Sequence, residues 1–173
     1  MKTTLSVAKE AQLFWLPQET ILFEGCRLDR NLDVDVHPSA KFLMLEPLVF
    51  GRAASGETLT SGAIRDRVTI SSGGRPVYLD RVQMDGDLAA QLARGAVAGG
   101  ARAMASLVMV DPAAKDVLPA CRALLPNQGG ASLLADNVLA LRLIADDSFA
   151  LRKILAPILT LMTNNAVPKN WRL

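Results

Sequence analysis

This sequence predicts a mainly β fold with a few α-helices, and three observations carry that expectation. Apolar residues recur with period two through the first half of the chain. Glycine, serine and aspartate clusters cut that half into short segments. Beyond residue 95 the composition turns rich in alanine and leucine, with helix-capping residues ahead of apolar runs. One domain over residues 1–173 is expected, β-rich across 1–95 and mixed α/β across 96–173.

The first predicted strand, at 20–23, turns at Gly25 into a second. There Leu28, Leu32, Val34 and Val36 alternate with Arg27, Asp29, Asn31, Asp33 and Asp35, so one face is apolar and the other charged. The apolar run 42–45 reads as a buried strand that opens at Glu46 into a tight loop carrying charge inward. Ile64, Val68 and Ile70 repeat the period-two pattern against Arg65, Arg67 and Thr69. Ser71-Ser-Gly-Gly74 then forms a hairpin turn into 76–84, because paired glycines accept positive φ without steric cost. Residues 87–94 form a short alanine-rich segment, and glycines at 95, 99 and 100 interrupt the chain after it. The run 103–110 reads as a buried strand, its alanine content leaving a helix open. Asp116 is expected to cap a helix with Pro119 in its first turn. A strand at 138–144 comes next, then a long helix over 149–162 capped from Asp146, Asp147 or Ser148 and kinked at Pro157. Its apolar side is wider than one buried stripe needs, since Leu151 and Leu161 point elsewhere, which leaves both core packing and a helical partner open.

Composition removes several function classes. The 173 residues are 50% hydrophobic and 21% charged, an ordinary globular balance. A formal charge of +2 without any Lys/Arg run is no nucleic-acid signature. No apolar stretch is long enough to predict a membrane span, and the N-terminal residues lack signal-peptide architecture. Cys26 and Cys121 stand far apart, so a cytoplasmic protein with reduced thiols is expected. The lone His37 builds neither a zinc site nor a nucleophile triad, and no glycine-rich loop carries the lysine and hydroxyl of a nucleotide site.

The candidate chemistry lies in Glu46-Pro-Leu-Val-Phe-Gly-Arg-Ala-Ala-Ser-Gly-Glu57. Glu46 and Glu57, with Arg52 between them, have two readings. They line a polar passage or partner contact whose carboxylates offer hard oxygens to a divalent cation, or Arg52 pairs with one glutamate while the other satisfies loop amides. Upstream, Trp15-Leu-Pro-Gln18 reads first as a core anchor whose indole N–H needs a partner. A third possibility is a β-rich hydrolase using Glu46 and Glu57 as an acid–base pair, which requires the two carboxylates roughly 5–10 Å apart in a cleft.

Taken together, Trp15-Leu-Pro-Gln-Glu-Thr20, the GRAASGE loop, the Arg-Asp-Arg strand and a terminal Pro-x-x-Trp closely resemble the urease accessory protein D family (UreD, also UreH). The resemblance implies many short strands wound helically, with helices packed alongside in the C-terminal half. It implies a non-enzymatic urease maturation factor, acting with accessory proteins F (helical) and G (a GTPase) on the urease apoenzyme as scaffold and nickel conduit. No tightly bound cofactor is implied, only nickel in transit. On this resemblance Glu46 and Glu57 are transient metal contacts, while Arg52, Gln18, Glu19 and Trp15 line the conduit or a partner surface. Weak carboxylate contacts suit an ion that must be released, whereas imidazole and thiolate would retain nickel. Family members carry about a hundred further residues before the Trp-Leu-Pro-Gln motif, so the chain looks like the C-terminal portion of the family fold. An exposed sheet edge is therefore expected, and with it a homodimer. The same shortness suggests a degenerate interaction module as another alternative.

Overall fold

The chain crosses repeatedly between two facing sheets as it is laid down. In this computed structural model, which describes residues 1–52 and 55–172, β1 (Lys2–Val7) lies in a four-stranded sheet. Next, β2 (Gln12–Trp15) and β3 (Thr20–Leu22) lie in a second sheet, β4 (Cys26–Val36) returns to the first, β5 (Lys41–Phe50) joins the second, and β6 (Gly62–Ser72) returns again. Each return lays its strand in the same direction as the previous one. Hence β1, β4 and β6 run parallel, as do β2 and β3 with β5. This is the helical winding expected of the β-rich half.

Antiparallel strands complete both sheets. The two-residue turn Gly73–Gly74, both at positive φ, joins β6 to β7 (Arg75–Gly86), because such a turn matches the twist of the flanking strands. In the second sheet β8 (Ala103–Val110) pairs with β5, and β10 (Val138–Ala145) lies between β8 and β9 (Gly129–Ala135). The described residues form three α-helices alongside the sheets: α1 (Leu88–Ala93), α2 (Ala114–Ala123) and α3 (Ser148–Met162). Among the described residues no helix is long and apolar enough to cross a membrane.

Three apolar clusters hold these layers. The largest packs the outer face of the second sheet, through Leu107, Leu141 and Leu143, against Leu151, Leu155, Ile158 and Leu159 of α3. Two others fill the space between the sheets, one around Val34, Phe42, Met44, Ile70 and Val108, the other around Leu48, Phe50, Ile64 and Leu88.

Several local expectations need correction. The strand through 42–45 does not open at Glu46; β5 continues to Phe50, and Glu46 is a buried strand residue. Its neighbours on β8 keep the ladder intact through Pro47, which faces Ala105. Helix α2 begins at Ala114, so Asp116 is a first-turn acid and Pro119 sits in mid-helix. The side chain of Asp111 supports that start by accepting from the Ala113 N–H. Leu151 belongs to the buried stripe of α3, which leaves Leu161 half-buried at its margin.

Candidate functional site

Between the two inter-sheet clusters lies a polar layer to which nearly every strand contributes one residue. Along β4 the inward positions run Leu28, Arg30, Leu32 and Val34, and along β6 Ile64, Asp66, Val68 and Ile70. On β5 they are Met44, Glu46 and Leu48, and on β8 Met104, Ser106 and Val108. Register aligns them: Arg30 is opposite Asp66 in one sheet, while Glu46, Ser106 and Arg142 form a row across the other. A single polar position repeated on successive strands thus becomes a plane through the core.

Arg30 is its centre. The buried guanidinium donates to both carboxylate oxygens of Asp66 at 2.9 and 2.6 Å, a bidentate pair. Its Nη1 stands 2.7 Å from Glu46 Oε2 and reaches Thr20 Oγ1 at 3.4 Å. The other Glu46 oxygen accepts from the Trp15 indole at 2.8 Å, so the tryptophan of the Trp-Leu-Pro-Gln motif finds its partner in the carboxylate. Glu46 Oε2 has the ion contact but no hydrogen bond of good geometry. Burial pushes the Glu46 carboxyl above its usual range, opposed by Arg30 and Trp15. For Arg30, burial works against the charge, yet the hydrogen bonds and charges of Asp66 and Glu46 outweigh it and hold the guanidinium more firmly protonated.

Toward the other side, Asp80 accepts from Arg142 at 2.6 Å, from Tyr78 at 3.2 Å and from Ser106 at 3.3 Å. Burial and the Asp80 charge push the Tyr78 phenol up to about 12. Glu46, Asp66, Asp80 and Ser106 enclose a void of about 10 Å³, room for about one water. The layer therefore spans the inter-sheet space from Trp15 and Thr20 to the half-exposed Arg142. It holds three carboxylates and two guanidiniums.

The remaining candidates fall elsewhere. Glu57 is half-buried in the loop after β5, where it accepts from the Arg52 N–H at 2.9 Å and the Glu24 N–H at 3.3 Å. Arg52 meets it through two longer contacts of 3.4 Å and stacks over Phe23 at 4.9 Å. Backbone hydrogen bonding from Arg52 holds the Glu57 carboxyl below its usual range. About 16 Å of extended backbone runs from Glu46 to Gly51, so the two glutamates do not share a site and the acid–base pair of a hydrolase is not assembled. Ala53 and Ala54 of the motif lie outside the described residues.

Gln18 is exposed, and the half-buried Glu19 faces α3 rather than Glu57. Arg152 grips Glu19 at 2.7 and 3.0 Å and lies over the ring of buried Trp171 at 4.6 Å, whose indole donates to the Leu16 carbonyl at 3.0 Å. Burial pushes Glu19 up, but the Arg152 hydrogen bonds outweigh it and leave the carboxyl lowered. The Trp-Leu-Pro-Gln-Glu-Thr segment is thus a bracket between the polar layer, through Trp15 and Thr20, and the C-terminal helix, through Leu16 and Glu19.

Sequence reasoning misses Arg30, Asp66, Asp80, Ser106 and Arg142. A signal is present for two of them: Arg30 and Asp66 fall in phase with the apolar face of strands whose opposite face carries the conspicuous charges. Among the described residues, no group of three or more His, Cys, Asp or Glu is arranged to hold a metal ion.

Comparison with known proteins supplies the context. The family model described as UreD urease accessory protein matches residues 1–172. The chain is 47% identical over 173 residues to a protein of Roseobacter denitrificans named urease accessory protein UreD, covering all of this chain and 63% of that protein. It is 47% identical over 171 residues to the protein so named from Ruegeria pomeroyi, covering 99% of this chain and 66% of that protein. A Ruegeria sp. protein of the same name is 45% identical over 181 residues, covering all of this chain and 61% of that protein. The chain thus spans somewhat less than two-thirds of the length of these relatives.

Proposed function

The chain belongs to the UreD family of urease accessory proteins, and on that premise we propose that it acts in urease maturation as a non-enzymatic cytoplasmic factor. It works in a complex with accessory proteins F and G, and its polar inter-sheet layer is the route by which nickel passes toward the urease apoenzyme. Nickel is cargo here and not a resident cofactor. The observation that carries the reading is the plane of Glu46, Asp66 and Asp80 through an otherwise apolar core.

Physical chemistry favours handover over storage in such a layer. Each carboxylate already has a guanidinium, so an entering divalent ion competes with Arg30 or Arg142 and is held weakly. Three carboxylates against two guanidiniums leave a formal excess of one negative charge, which favours a cation over an anion. Glu46, with its poorly satisfied oxygen beside the void, is the transient contact. Glu57 lies off this layer, and we place it with Arg52 in a partner-facing loop. Gln18, Glu19 and Trp15 position the layer's near end.

The test is reconstitution. Apo-urease, nickel, GTP and the F and G proteins are combined with and without this chain, and urease activity is read. Activity that depends on the chain supports the reading. Capture of the partners without activation would leave a binding role and remove the conduit.

A further inference from the structure

The polar layer leaves unexplained a patch at the far end of the second sheet. Ile21, Phe23 and Phe149 are large apolar side chains that stand 48%, 46% and 68% exposed, and such residues carry meaning where they group into a patch. They are not scattered. Ile21 and Phe149 both line a groove of about 390 Å³, together with Val49, Arg52 and Arg102, and Phe23 lies under the Arg52 guanidinium.

Two further features say what the groove would take. The first is backbone. β3 pairs with β5 in parallel register, and the Gly51 N–H donates to the Leu22 carbonyl at 2.8 Å. Ladder bonds to β5 therefore fall on Leu22 and Thr20, and the N–H and C=O of Ile21 point outward along the sheet edge. An edge of this kind accepts another extended chain. The second is charge. Arg102 spends one hydrogen bond on the Glu57 carbonyl and, among the described residues, has no carboxylate within 4.0 Å. Arg52 rests on the Phe23 ring and meets Glu57 only through the two 3.4 Å contacts, and it remains more than half exposed. Asp147 also lines the groove, but its carboxylate is committed to the Ala150 N–H at 2.7 Å.

We propose that this groove docks an extended acidic segment of a partner protein, added as a strand to the free edge of β3. Backbone bonds form to Ile21, one apolar side chain of the segment fills the space between Ile21, Val49 and Phe149, and a neighbouring Asp or Glu meets Arg52 and Arg102. The inference rests on the reading of this chain as an assembly factor, to which it adds the chemistry of one partner contact.

Short overlapping peptides spanning the urease subunits and the F and G proteins are the probe, with binding to the purified chain read by fluorescence anisotropy. Bound peptides should combine an apolar residue with nearby Asp or Glu. Arg52→Glu should weaken them by about tenfold or more. Ile21→Pro removes the outward N–H and should weaken them as well. Both positions are half-exposed or more, and an unchanged melting temperature for each variant shows that folding is intact. Absence of any bound peptide, preference for basic peptides, or indifference to both variants would overturn the proposal. So would a dimer that Arg52→Glu dissociates, because a second copy would then cover the groove. Peptide binding with no effect of this chain on urease activity would sink the maturation reading instead and leave the docking site standing.

Discussion

At the scale of single residues, Arg30 carries the largest energetic weight. It neutralises two buried carboxylates at once, so Arg30→Ala leaves Glu46 and Asp66 facing each other without a cation. Removing one member of a buried ion network typically costs about 3–5 kcal/mol, and urea denaturation should show a loss of that size. A loss below about 1 kcal/mol would mean that water reaches the layer freely. Glu46 gives a prediction with a sign. Burial raises its carboxyl, with Arg30 and Trp15 opposing. The folded state therefore holds this proton more firmly than the unfolded chain does. Stability from this group is present at low pH and is lost as pH rises through the ordinary carboxylate value to the raised one. Glu46→Gln cannot ionise and should gain on the wild type over the window that runs upward from the ordinary carboxylate value. A stability difference constant over that window would contradict the assignment.

At the scale of elements, two features depart from what local pattern suggests. Pro119 lies in the middle of α2, where it removes one helix hydrogen bond and crowds the preceding turn. Because it is exposed, Pro119→Ala should raise stability by up to about 3 kcal/mol, visible as a higher melting temperature. No gain would indicate that the helix has already adapted to the ring. The C-terminal bracket is the second. Trp171 is fully buried and bonded to Leu16, and Arg152 ties α3 to Glu19. Trp171→Ala should cost about 3–5 kcal/mol and loosen the segment that carries Trp15. The strands themselves are legible, since 28–36, 64–70, 103–110 and 138–144 alternate or run apolar as buried strands do. Less legible is the length of β5. Glu46 and Pro47 read as the end of a strand because a charge and a proline usually mark one, yet Arg30, Trp15 and the neighbouring β8 supply the missing partners. Local pattern cannot anticipate a partner that arrives from sixteen residues upstream on another sheet.

At the scale of the whole molecule, helical winding makes the site. Because the chain alternates between sheets through β4, β5 and β6 and lays β4 and β6 in parallel register, one polar residue per strand is enough to build a continuous plane. Period-two reading finds the strands, but only the winding order reveals that Arg30, Glu46 and Asp66 meet. Winding also leaves β1 as the outer strand of the four-stranded sheet. Whether the polar layer carries nickel is decided by the nickel content of urease matured with the Glu46→Gln protein. If the polar layer carries the ion, the variant should fold and capture F and G as the wild type does, while the urease it matures holds several-fold less nickel. Urease loaded with nickel to the wild-type level by that variant would contradict the account.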